Sequence, residues 1–164
     1  MLLRIESIIF DWGDTLMRDF LQYEGPMAEW PEVELMPGVE KTLQDLSRGF
    51  NLFVASNAGS SDAELVEKAL QRVGIARYFK SIFTGTELES KKPHLDFYRR
   101  LCKKIRTPPG QCLMVGDNLE KDIIPARRIG MQAAWLSPEG GEEGDYWKID
   151  SLTQVIEIVK RRSV

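Results

Sequence analysis

The sequence predicts an α/β fold, a parallel sheet flanked by helices, on three observations. Short apolar runs rich in β-branched residues recur along the 164-residue chain. Segments with apolar residues at helical spacing separate them. The connections are short, and parallel strands need crossovers of this helical kind.

The first run, Ile5 to Phe10, reads as a buried strand that ends at Asp11, with Gly13 breaking the pattern. Phe20 to Met36 mixes aromatic and acidic residues with Pro26 and Pro31, so an irregular excursion with one helical turn is expected there. After Pro37-Gly38, Val39, Leu43 and Leu46 mark a helix, and Asn51 to Ser56 the second strand. Ser61 and Glu64 have capping-box spacing and open a helix whose apolar face is Leu65, Ala69, Leu70 and Val73. A short strand covers Ser81 to Thr84. A helix starts after Pro93, carries Leu95, Tyr98, Leu101 and Ile105, and stops before Pro108-Pro109-Gly110. Cys112 to Val115 is the next strand, Asp122 to Ile129 a helix, and Met131 to Leu136 a further strand. Ser137 to Asp145 reads as a Gly/Glu-rich loop, and Ser151 with Gln154 as a second capping box that opens the last helix.

Composition narrows the function classes. Hydrophobic residues at 43% and charged residues at 29% describe an ordinary globular domain rather than a disordered or fibrous chain. A net charge of −3 argues against a broad basic field for nucleic acid, and Lys160-Arg161-Arg162 reads as a solvated helix end. The two cysteines are too few for a disulfide framework and are expected to be reduced. Acidic residues come too early for a signal peptide, and no apolar run reaches the ~18 residues of a membrane span. Cytoplasmic residence without membrane attachment follows as the default expectation. One domain over residues 1–164 is expected, with 17–36 as a short insertion and no separate cap.

Ligands in parallel sheets bind beyond the carboxyl ends of the strands, and those ends are polar here: Asp11, Ser56-Asn57 and Asp117, with Lys92 before an intervening helix. Singly, each is an ordinary cap or surface residue. Jointly and in this order, Ile8-Ile9-Phe10-Asp11-Trp12-Gly13-Asp14-Thr15-Leu16, Val54-Ala55-Ser56-Asn57, Lys92-Pro93 and Val115-Gly116-Asp117-Asn118 with Asp122 resemble the four motifs of the haloacid dehalogenase superfamily. The resemblance runs from about Ile5 to Leu136. It implies a three-layer, Rossmann-like sheet and a magnesium-dependent phosphatase that cleaves phosphate monoesters through an aspartyl-phosphate.

By that resemblance, Asp11 is the nucleophile, Ser56 and Asn57 bind the phosphoryl group, and Lys92 keeps Asp11 ionised and offsets phosphate charge. Asp11, the Gly13 carbonyl and Asp117, supported by Asp122, are the expected magnesium ligands. The parts make chemical sense, because a carboxylate attacks an anionic ester only where cations and donors neutralise charge. His94 reads as a polar residue at a helix start, and Trp12 as core. Phe20, Tyr23 and Trp30 form either a lip over the site or an anchor for the excursion.

One position departs from the family pattern. Phosphatases of the family carry a second aspartate two residues after the nucleophile, which protonates the leaving oxygen and then activates water. Here that residue is Gly13, and Asp14 follows one place later. Loss of a general acid/base typically lowers rates about a hundredfold to ten-thousandfold. Asp14 or His94 is therefore a candidate substitute, and slow turnover or lost catalysis are the alternatives. A metal-independent dehalogenase and a phosphate- or partner-binding module on the same fold are the competing readings. The expected ligand is a phosphorylated small molecule or a larger phosphorylated substrate, and oligomerisation is left open.

Overall fold

The computed structural model describes residues 3–57, 59 and 61–162. Six strands form one parallel sheet: β1 (Ser7–Phe10), β2 (Asn51–Ala55), β3 (Ser81–Phe83), β4 (Cys112–Gly116), β5 (Gln132–Leu136) and β6 (Trp147–Ile149), in the order β3-β2-β1-β4-β5-β6. The crossovers supply α1 (Val39–Leu46), α2 (Ala63–Arg72), α3 (Gly85–Leu88), α4 (Leu95–Ile105) and α5 (Ile124–Arg128), and α6 (Gln154–Arg161) follows β6.

The central strands are apolar throughout because both faces are covered. Ile8, Phe10, Leu52, Val54, Leu113 and Val115 pack on one side, with Leu43 of α1, Leu70 of α2 and Val155 of α6. Ile9, Phe53, Ala55, Cys112 and Met114 face the other way, onto Phe97 and Leu101 of α4 and Ala126 of α5. This is the expected three-layer arrangement. The chain runs outward from β1 through β2 to β3, then returns to β4 on the other side of β1. The reversal opens a crevice beyond the carboxyl ends of β1 and β4.

Several local expectations shift. The cap of α2 is Asp62, whose Oδ1 accepts from Leu65 N at 3.0 Å. Glu64 instead pairs along the helix with Lys68 at 3.0 Å. A capping box of Thr84 and Glu87 opens the short α3 where the strand is expected to reach Thr84, with Glu87 Oε2 accepting from Thr84 N at 2.8 Å. The helix expected from Asp122 divides into a wide, π-type turn over Leu119–Ile123 and then α5. Pro125 explains the break, since it has no N–H for the carbonyl of Lys121. The Tyr98 hydroxyl donates to that carbonyl instead. Past the Gly/Glu-rich loop, β6 adds an edge strand of three residues, too short to leave a periodic signal.

Residues 17–36 return across the top of the sheet. Met17 bridges to Leu35, and Met27–Glu29 forms a 3-10 turn. One guanidinium nitrogen of Arg72, Nη1, donates to the carbonyls of Met27, Ala28 and Trp30 at 3.2, 3.1 and 2.7 Å and ties this segment to α2. Among the described residues, Cys102 and Cys112 are free thiols, and no helix is long and apolar enough to cross a membrane.

Candidate active site

The crevice over β1 and β4 holds a cleft of about 360 Å³, and the polar strand-end residues converge on it. Asp11 directly follows β1, and its N–H donates to Val115 O at 2.9 Å, which fixes the end of β1 against β4. Lys92, in the loop between α3 and α4, buries its side chain to 3% exposure and sends Nζ to Asp11 Oδ1 and to Asp122 Oδ1, both at 2.8 Å. Thr15 lies between the carboxylates. Its hydroxyl is 3.2 Å from both Asp11 Oδ2 and Asp117 Oδ1. Each of Asp11, Asp117 and Asp122 offers an oxygen within 4.8 Å of the others.

Local sequence explains this convergence. A Cβ on Gly116 would lie 2.4 Å from Asp122 Oδ2, so only glycine at the end of β4 lets that carboxylate fold back toward Lys92. The Asn118 N–H then donates to Asp122 Oδ2 at 3.1 Å. Asn57 clamps Lys92 through both ends of its amide: Oδ1 accepts from Lys92 N at 2.8 Å, and Nδ2 donates to Lys92 O at 3.1 Å. The side chain expected to touch phosphate thus grips the backbone of the lysine. Ser56 follows β2 and lines the cleft, its N–H donating to Phe83 O at 3.0 Å.

The electrostatics follow from crowding. Burial alone would raise Asp11, but the charge and hydrogen bond of Lys92 hold it below the ordinary carboxylate range. Burial, and then the neighbouring carboxylates, push Asp117 up to about 8. Asp122 rises to about 6, again chiefly by burial, with Lys92 opposing. Lys92 stays charged because Asp11 and Asp122 outweigh its own desolvation. With all three carboxylates ionised, one ammonium would leave two negative charges; the metal-free cluster relieves this by holding protons, and a divalent cation with oxygen ligands could take their place.

The remaining candidates divide. Asp14 adopts a left-handed φ of 57° and lines the cleft, and its Oδ1 accepts from Asp19 N at 2.9 Å. His94 occupies the N-terminal boundary position of α4 without a side-chain capping bond, is exposed, and is absent from the cleft wall. Trp12 is 5% exposed and belongs to the core. Phe20, Tyr23 and Trp30 pack on one another with ring centroids 5.5 to 6.5 Å apart. Trp30 and Met27 also line the cleft, so this cluster both anchors the excursion and forms a wall. Sequence reasoning missed Thr15 and Asp19. Thr15 stood inside the first motif without a role, whereas nothing local marks Asp19.

The profile of the haloacid dehalogenase-like hydrolases matches residues 6–136. The chain belongs to this family. Haloacid dehalogenase-like relatives include the 5-amino-6-(5-phospho-D-ribitylamino)uracil phosphatase YigB of Escherichia coli (strain K12), 31% identical over 121 residues, 73% of this chain and 48% of that protein. The glyceraldehyde 3-phosphate phosphatase of Methanocaldococcus jannaschii is 34% identical over 97 residues, 56% of this chain and 42% of that one. The chain therefore spans about half the length of these curated relatives, at 48% and 42%. An uncharacterized protein from Listeria monocytogenes serotype 4b superposes on the haloacid dehalogenase-like core with a TM-score of 0.86 at 27% identity, over 97% of this chain and 99% of the other.

Proposed function

We propose that this chain is a magnesium-dependent phosphatase that hydrolyses phosphate monoesters through an aspartyl-phosphate on Asp11. The observation that carries the reading is the position of Asp11 at the end of the central strand, 2.8 Å from the buried Lys92 ammonium and beside two further carboxylates. A nucleophile kept ionised by its own cation, in a cluster whose surplus charge calls for a metal, suits attack on an anionic ester. The names of the relatives described above as phosphatases support the same chemistry.

In this reading Asp11, Asp117 and the Gly13 carbonyl hold the ion, with Asp122 in support. Bound magnesium would offset phosphate charge and help orient the ester. Ser56 binds a phosphoryl oxygen, and Asn57 acts on the phosphate through Lys92. Lys92 lowers the charge that Asp11 meets as it attacks. We read the chain as one domain with residues 17–36 as a short insertion and no separate cap, which leaves the cleft open to small and larger phosphorylated substrates.

The deciding assay is phosphate release from p-nitrophenyl phosphate and a panel of sugar and nucleotide monophosphates, with magnesium and with chelator. Release that chelator abolishes and magnesium restores is the expected outcome. Activity that survives chelation would favour the metal-independent alternative, and no release on any substrate would reduce the chain to a binding module.

Metal binding has a second readout. Asp117 at about 8 and Asp122 at about 6 lie above the ~3.9 of an unfolded aspartate, so the metal-free folded state holds extra protons and loses stability as pH rises from about 4 to about 8. Asp11, held low, acts in the opposite sense, and only in more acidic solution. A cation replaces those protons, so its stabilising effect grows with pH. At about a hundredfold excess over Kd, magnesium should raise Tm by about 5–10 °C at pH 8 and by less at pH 5.5 in scanning fluorimetry. A pH-independent shift would remove Asp117 from the ligand set.

A further inference from the structure

Cleavage of a phosphate ester needs a proton for the departing oxygen, then a base to take one from the attacking water. Among the described residues, few groups lining the cleft are available for both. Asp11 is bonded to phosphorus in the intermediate, and Asp117 and Asp122 are buried in the carboxylate cluster with Thr15 and Lys92 on them. The Lys92 ammonium is committed to its two carboxylates, and Lys121 presents an ammonium that donates but does not accept. His94 stands outside the cleft wall. Asp14 and Asp19 remain, both on the rim.

Geometry separates these two. The loop after β1 turns back on itself, with Asp14 N donating to Met17 O at 2.6 Å and Asp14 Oδ1 accepting from Asp19 N at 2.9 Å. One carboxylate oxygen of Asp14 is thus engaged by the backbone of the loop. The same fold-back carries the Asp19 side chain over Gly13. The three atoms nearest to a Cβ built on Gly13 all belong to Asp19: Cβ and Oδ2 at 3.7 Å and Cγ at 3.9 Å. Residue 13 has no side chain, and the side chain in contact distance of the place one would take is that of Asp19, six residues further on. Asp19 is exposed, which lets it exchange protons with water between steps.

We propose that Asp19 is the general acid and base of this site, with Asp14 as the residue that positions it. The assignment rests on the phosphatase reading above. In the first step an Asp11 oxygen bonds to phosphorus while the bond to the ester oxygen breaks, and that oxygen leaves with the proton of the Asp19 carboxyl. In the second, water attacks phosphorus, Asp19 takes its proton, and the bond from Asp11 to phosphorus breaks. Asp11 is restored as a carboxylate, Asp19 is protonated again, and phosphate is released.

The test is Asp19→Asn beside Asp14→Asn, assayed with an alkyl monophosphate and with p-nitrophenyl phosphate. Asp19→Asn should lower kcat about a hundredfold to ten-thousandfold on the alkyl ester, whose leaving group needs a proton. Nitrophenolate leaves without one, so that substrate should give a burst equal to the enzyme present, followed by slow turnover, with the phosphorylated protein visible by intact mass. Unchanged kinetics of Asp19→Asn against an active parent would overturn the assignment and leave the phosphatase reading standing. A burst in Asp14→Asn but not in Asp19→Asn would overturn it in favour of Asp14. No phosphate release by the parent chain would overturn both.

Discussion

Asp11→Asn should lower phosphate release by at least about ten-thousandfold, because an amide cannot form the acyl-phosphate on which both steps depend. The fold should survive the exchange. Asparagine is nearly isosteric, its oxygen can still accept from Lys92, and Asp122 remains 2.8 Å from that ammonium. Removing one of three crowded carboxylates also relieves the repulsion that raises Asp117. Phosphate release followed with a chromogenic assay, together with the unfolding midpoint by circular dichroism, separates the two effects. Turnover close to that of the parent would exclude Asp11 as nucleophile.

Lys92→Met should be damaging in both respects. The Lys92 side chain is 3% exposed, and its Nζ is the counterion shared by Asp11 and Asp122. Methionine keeps much of the volume beside Phe97 and removes only the charge. Two carboxylates are then left without their cation, which for a broken buried pair costs about 3–5 kcal/mol. At about 2–4 °C per kcal/mol for a chain of this size, Tm should fall by roughly 6–20 °C. Asp11 would also take up a proton and cease to be a nucleophile, so activity should vanish. The stability deficit should shrink in acid, where protonation neutralises the stranded carboxylates. Denaturant melts at two pH values test this. A deficit below about 1 kcal/mol at neutral pH would mean that the pair is worth no more than a surface one.

What the sequence made legible follows the length of its signals. β1, β2 and β4 are continuous apolar runs that end in polar residues, so both the sheet and the position of Asp11 and Asp117 could be read directly. α4, with four buried residues on one face, was equally plain. β6, at three residues, carries no periodicity. The turn before α5 depends on a proline that leaves a carbonyl for Tyr98, a tertiary partner that local spacing cannot reveal. Within the site, Lys92 and Asp122 were visible as motif residues, but their direct ion pair was not. Asn57 was read as a contact to phosphate, and its amide instead grips Lys92. Asp19 was invisible for a simpler reason: its neighbour in space is a glycine, and the absence of a side chain leaves no pattern to match.

The bonds from Arg72 to the carbonyls of Met27, Ala28 and Trp30 bear on how the cleft discriminates among substrates. They fasten the wall carrying Met27 and Trp30 to α2 before any ligand arrives. Binding against that wall need not order a loose segment, so no entropy is spent on closing it. On the proposed phosphatase reading, selectivity on that side would derive chiefly from shape, an apolar edge held by Arg72 that a leaving group either fits or does not. If the chain turns over phosphate esters as proposed, a substrate would gain little there by inducing fit, and product would depart past a wall already held in place.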